Sequence, residues 1–146
     1  MYNNILLPID INDKDSWQLS FAKITTIMSL APNSKLNIMT VVPTYGLGMI
    51  EEYFPKNWVR DITQKSQKKL EDIVTKNLIL SNQIELFVDR GVVYQEILNR
   101  AEKIKADLVV MSAHHPNRSD YLLGPNVAKV ARHSPHSVLI VRDNHD

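Results

Sequence analysis

Residues 4–9 form a run that is continuously apolar after Asn4, a pattern suited to a strand buried on both faces. After a turn at Asn12-Asp13, Trp17, Phe21, Ile24 and Met28 recur at helical spacing, and Pro32 marks the stop. Leu36 to Val42 reads as a second strand. A longer helix follows, with Trp58, Ile62, Leu70, Ile73 and Asn77 near one face. Ile84 to Val88 is a short third strand that carries Glu85, as an edge strand does. Gly91 turns the chain into a helix with Ile97, Ala101 and Ile104 on one side. Leu108 to Met111 is strand four, helix four spans about Asn126 to His133, and Pro135 precedes strand five, Val138 to Val141.

Strands and helices alternate throughout, with connections suited to right-handed crossovers between parallel strands. The expectation is one α/β domain over residues 1–146, an open, Rossmann-like parallel sheet with helices on both faces. No internal repeat or low-complexity segment interrupts it. The irregular stretch is Pro43 to Asn57, with Tyr45, Gly46, Gly48, Tyr53, Phe54 and Pro55. It is too long for a minimal strand-to-helix turn, and its aromatics suit a lid, a contact surface or a cover for a helix end.

Composition narrows the function classes. A net charge of +1 gives no polyelectrolyte signal, so no nucleic-acid partner is expected. Lys65, Lys68, Lys69 and Lys76 alternate with Glu71 and Asp72, which fits a solvated helix face. The chain contains no cysteine, which removes disulfides, thiol catalysis and zinc–thiolate sites. No apolar run approaches the roughly 18 residues of a membrane span, and no leader precedes the first strand, so no membrane partner and a cytoplasmic location are expected. Phosphate-loop and nucleophile-elbow motifs are missing, and Gly46-Leu47-Gly48 lacks the third glycine of a dinucleotide fingerprint. A phosphoreceiver reading fails because strand five ends in Arg142 rather than reaching a lysine. Turnover therefore has no visible general base or lysine to support it.

Candidate chemistry gathers where strands end. A loop between a buried strand and a helix start holds anions well, because backbone N–H groups converge there and the helix dipole favours negative charge. The stretch from Asp107 to Arg142 has this form, and Pro8-Ile9-Asp10 ends the first strand in a carboxylate. Asp10 has two readings: it accepts hydrogen bonds from ribose hydroxyls, or it caps helix one or closes a turn with Asn12. Val41, near the end of strand two, has a backbone N–H and C=O that any residue there would offer equally. Met111 is soft enough to pack against a base, or is core filler. Gly124 lets the backbone approach phosphate or simply makes a turn. Pro125 suits a first helical turn but has no N–H to give a phosphate, a deficit that Asn126, Asn117 or Arg118 would have to offset. His114, His115 and Asp120 suggest a metal cluster, but adjacent ligands on a short loop are poor geometry. A histidine facing phosphate and an exposed loop histidine are the better readings of His115.

These residues bring a family into view. The chain resembles the universal stress protein family over essentially its whole length. The resemblance rests on Ile5 to Asp10, Val41, Gly91, Ala106 to Met111, Leu122-Leu123-Gly124, and His133 to Arg142. It implies a sheet order of 3-2-1-4-5, with strands one and four side by side at the switch point. Many members bind ATP through a pattern of three glycines followed by serine or threonine. Here Ser112 and His115 stand at the first two glycines and Pro125 at the hydroxyl. Ala113-His114, Tyr121-Leu122-Leu123 and Gly124-Pro125-Asn126 look like a branch with a shortened loop. The site that the resemblance implies comprises Pro8, Ile9, Asp10, Val41, Met111, Ser112, His114, His115, Gly124, Pro125 and Asn126. It would take ATP, with AMP or ADP as alternatives and Mg accompanying ATP, in a stress sensor or adaptor. A dimer scaffold that binds no nucleotide and a weak ATPase or adenylyl transferase are the rival functions. The resemblance also points to a homodimer through Val138 to Arg142.

Overall fold

The computed structural model describes residues 2–44, 56–113 and 124–143. Nine elements follow one another: β1 (Asn4–Pro8), α1 (Lys14–Ser29), β2 (Lys35–Pro43), α2 (Lys56–Asn77), β3 (Ile84–Gly91), α3 (Val93–Lys103), β4 (Leu108–Ala113), α4 (Gly124–His133) and β5 (Ser137–Arg142). The strands form a single parallel sheet in the order β3-β2-β1-β4-β5. This is the order that the resemblance implies, with β3 and β5 at the edges.

The period-two pattern builds two core layers. Ile5, Leu7, Leu36, Ile38, Leu108 and Val110 pack with Trp17, Phe21, Ile24 and Met28 of α1 and with Leu70, Ile73 and Val74 of α2. The alternate residues Leu6, Met39, Val41, Val109 and Met111 pack on the other face with Val93, Ile97 and Ala101 of α3 and Val127 and Val130 of α4. Each large side chain fully buried this way contributes about 1.5–3 kcal/mol, against about 1 kcal/mol net for a hydrogen bond, so these layers hold the sheet. Asn77, placed on the buried side of α2 by spacing, is exposed and donates back to the Ile73 carbonyl at 2.8 Å.

Polar residues fix the register at the amino ends of the strands. The Asp107 carboxylate accepts the backbone N–H groups of Asn3 (2.7 Å) and Asn4 (3.1 Å). The buried Asn37 amide donates to the Asn4 side chain (2.6 Å) and to the Ile5 carbonyl (3.1 Å). These contacts tie β1 to β2 and to β4 at the end of the sheet opposite the switch point.

β3 continues three residues beyond the strand expected from its apolar run, and Asp89 and Arg90 stay in register with Val41 and Val42. Arg100 of α3 makes this possible. Its Nε and Nη2 lie 2.8 and 2.5 Å from the two carboxylate oxygens of Asp89, and its guanidinium lies 4.3 Å from the centre of the Phe87 ring. The hydrogen bond to Asp89 raises the Arg100 pKa, against the opposing effect of burial. Gly91 then closes β3 at φ +149°, a backbone conformation that a side chain rarely tolerates.

Candidate functional site

β1 keeps company with β2 for its whole length but leaves β4 early. Its register with β2 runs from Asn4–Lys35 to Pro8–Met39, whereas with β4 it comprises Ile5–Leu108 and Leu6–Val109. Pro8 supplies the physical reason. In a parallel strand, alternate residues direct their backbone groups to opposite neighbours. The Asn4 carbonyl accepts from Asp107 on the β4 side, while Ile9 donates to Met39 on the β2 side at 2.8 Å. The next donor from β1 toward β4 would therefore be residue 8, and proline has none. The β1–β4 ladder thus ends at the topological switch point, beyond which open α/β sheets usually hold their ligands.

Asp10 follows the end of β1 at this point and is buried. Its Oδ1 accepts the Asn12 N–H at 2.9 Å and its carbonyl accepts the Asp13 N–H at 3.1 Å. The turn with Asn12, open from the sequence, is thus formed. The helix cap falls instead to Asp13, which accepts the Ser16 N–H at 3.2 Å. The Lys69 ammonium donates to the Asn12 side chain at 2.8 Å, so the face read as solvated sends one lysine to the loop beside Asp10.

The other predicted residues divide by role. Ile9 is core, with both its side chain and its N–H committed. Val41 and Met111 belong to the layer that holds Val93 and Val127, near the starts of α3 and α4. Ser112 points to the opposite face, where its Oγ lies 2.9 Å from that of Ser16 in the first turn of α1. Gly124, Pro125 and Asn126 form the first turn of α4, which begins two residues before the expected start. The Asn126 side chain is buried and accepts the Tyr94 N–H at 3.1 Å. It thereby serves the start of α3, where Val92 provides no side-chain cap.

His114 and His115 lie outside the described residues, as do Asn117, Arg118, Asp120 and the Tyr121 to Leu123 segment. The same holds for Tyr45 to Pro55 of the irregular stretch. Among the described residues, no group of three His, Cys, Asp or Glu side chains is placed to hold a metal ion. None of the described helices is long and apolar enough to cross a membrane. A cavity of about 440 Å³ lies at the other end of the sheet, between Tyr2, Ile5, Ile27, Leu30 and Ser34. Its lining carries no charged side chain.

Ser16 and Tyr94 were missed as partners in this region. Ser16 reads as an ordinary polar helix position, and both contacts join residues far apart in the chain. Only the Asn12-Asp13 turn gave a local signal.

A parallel sheet in the order β3-β2-β1-β4-β5 with helices on both faces, its β1–β4 ladder ending early at the switch point, defines an open α/β protein. Residues 1–142 match the sequence model of the Universal stress protein family. The chain belongs to that family. It is 26% identical over 145 residues to universal stress protein G of Escherichia coli O157:H7, covering 97% of this chain and 100% of that protein. Its fold is similar to that of the protein MJ0577, with a TM-score of 0.72, 23% identity, and coverage of 100% of this chain and 99% of the other. A universal stress protein in complex with cAMP superposes with a TM-score of 0.59, at 24% identity and 98% coverage of each chain. The Archaeoglobus fulgidus universal stress protein in complex with dAMP gives 0.60, at 12% identity, covering 95% of this chain and 97% of its own.

Proposed function

We propose that a crevice between β1 and β4 binds an adenine nucleotide, and that the protein works as a cytoplasmic stress sensor or adaptor through that binding. The observation that carries this reading is the early end of the β1–β4 ladder, with Asp10 on one flank and the first turn of α4 on the other. Complexes of two fold neighbours with cAMP and dAMP support it, since both ligands are adenine nucleotides. In this reading Asp10 accepts from the ribose, the Val41 backbone meets the base edge, and Gly124 lets the chain approach phosphate. ATP is the expected ligand, with Mg accompanying it, and AMP and ADP are its shorter alternatives.

Pro125 tests where the phosphates lie. It is exposed in the first turn of α4 and has no N–H to donate. Pro125→Ser restores a donor, and a hydrogen bond to a charged group is worth about 1.5–3 kcal/mol, so ATP should bind roughly tenfold tighter or better. Adenosine should bind nearly as before. Titration calorimetry with both ligands checks this, and an equal change for the two would place the effect in helix geometry instead.

We also propose a homodimer through β5. This strand is the sheet edge next to β4, and Leu139 on it keeps 40% of its surface exposed. An antiparallel pairing with a second copy would satisfy its free backbone groups and cover that apolar surface in one symmetric contact. Light scattering should give twice the chain mass at high micromolar concentration. A monomer there would reject the dimer without touching the nucleotide reading.

A further inference from the structure

We propose that the hydroxyls of Ser16 and Ser112 form a clasp that sets the spacing of the two crevice flanks, making both serines positioning residues for the ligand. This inference rests on the nucleotide reading and adds to it the device that holds the site in register. Above Leu6–Val109 the β1–β4 ladder has ended, and the missing Pro8 donor removes its next rung from β1. Other contacts must therefore fix where the end of β4 stands relative to the end of β1. The two serine hydroxyls meet at 2.9 Å, 96 residues apart in sequence, and both are almost fully buried.

The contact is connected to the ligand flanks on both sides. Ser112 is followed by Ala113, the last residue of β4, from which the chain leaves toward α4. The Ser16 N–H is held by Asp13, the Asp13 N–H by the Asp10 carbonyl, and the Asn12 N–H by the Asp10 carboxylate. One chain of hydrogen bonds thus runs from the end of β4, through the first turn of α1, to the carboxylate on the opposite flank. The Ser112 hydroxyl is engaged on the α1 face. Its role follows from what it fastens. One turn further along α1, the Ser20 hydroxyl is fully buried and has no hydrogen-bond partner among the described residues.

Since the chain has no cysteine, a Ser16→Cys, Ser112→Cys double variant contains the two introduced thiols alone. With the pair oxidised, ATP should bind as it does to wild type. With the pair reduced, or in Ser16→Ala or Ser112→Ala, affinity should fall about tenfold, the worth of one buried hydrogen bond. Binding is measured well below the unfolding midpoint of each variant, so that lost stability alone leaves the affinity unchanged. The Ser16→Ala, Ser112→Ala double variant should bind no more weakly than either single one. A ligand-free readout runs beside these titrations: amide hydrogen exchange at Asn12, Asp13, Ser112 and Ala113 should quicken in the single variants and slow again in the oxidised pair. If wild type itself binds no nucleotide, the nucleotide reading fails and the clasp is judged on exchange alone. Unchanged exchange at both flanks overturns the clasp. So does unchanged ATP affinity in folded single variants of a protein that binds ATP.

Discussion

Gly91→Ala is expected to destabilise the protein by about 1–3 kcal/mol, the cost of holding a side-chain-bearing residue in a backbone region that glycine alone visits freely. Gly91 sits at φ +149° at the end of β3, and its carbonyl accepts the Thr44 N–H at 3.2 Å, so the turn is held on the β2 side. A Cβ at this position would lie 2.6 Å from Glu96 Oε1 and 2.9 Å from its Cγ. Glu96 is a flexible side chain that can swing aside, which leaves the backbone as the larger part of the cost. Urea unfolding of Gly91→Ala should therefore show a lower midpoint at an unchanged slope, and adding Glu96→Ala should recover a minor share. Full recovery would show that the contact, and not the backbone, was responsible. No loss at all would remove the strain argument.

Asp89→Ala should cost about 2 kcal/mol, somewhat below the ~3–5 kcal/mol of a fully buried pair, because both partners keep some contact with water. The side chains of Arg100 and Asp89 are 19% and 14% exposed, and the two fork contacts are the ones that bring a charged residue into the end of β3. Removing the carboxylate leaves a guanidinium on Phe87 with its charge unpaired. The pH dependence has a definite sign. The folded-state pKa of Arg100 is raised, so its contribution is present at lower pH and disappears only as pH climbs through the guanidinium range. The deficit of Asp89→Ala should consequently stay level from roughly neutral to about pH 10. Chemical denaturation at several pH values checks both the size and the flatness. A deficit that fades well below the guanidinium range would assign the effect to another group.

These two positions also show where local pattern stops being informative. All nine elements were legible from apolar periodicity, since a two-face core writes itself as a continuous run in each central strand. Boundaries were lost where a polar residue finds a distant partner. Asp89 looked like the end of a strand because Arg100, which neutralises it, comes from the next helix. Ser112 looked like the start of a loop because its partner lies in α1. Within the candidate site, Asp10 and the α4 turn could be read from strand-end and helix-start chemistry. The split of β1 from β4 was not read, although Pro8 carried the signal, because its meaning depends on which neighbour the missing donor would have faced. Asn126 reads as a ligand-facing residue from the sequence, and its link to Tyr94 becomes visible only once α3 and α4 stand side by side.

The central claim is that this crevice takes an adenine nucleotide, and titration calorimetry of the unmodified protein tests it most directly. ATP, AMP and GTP are each titrated to about millimolar concentration, with thermal unfolding followed in parallel, because a ligand of the native state raises its stability by mass action. The expected result is saturable heat and a raised midpoint with ATP, a weaker response with AMP, and none with GTP. No heat and no stabilisation with either adenine nucleotide would contradict the account.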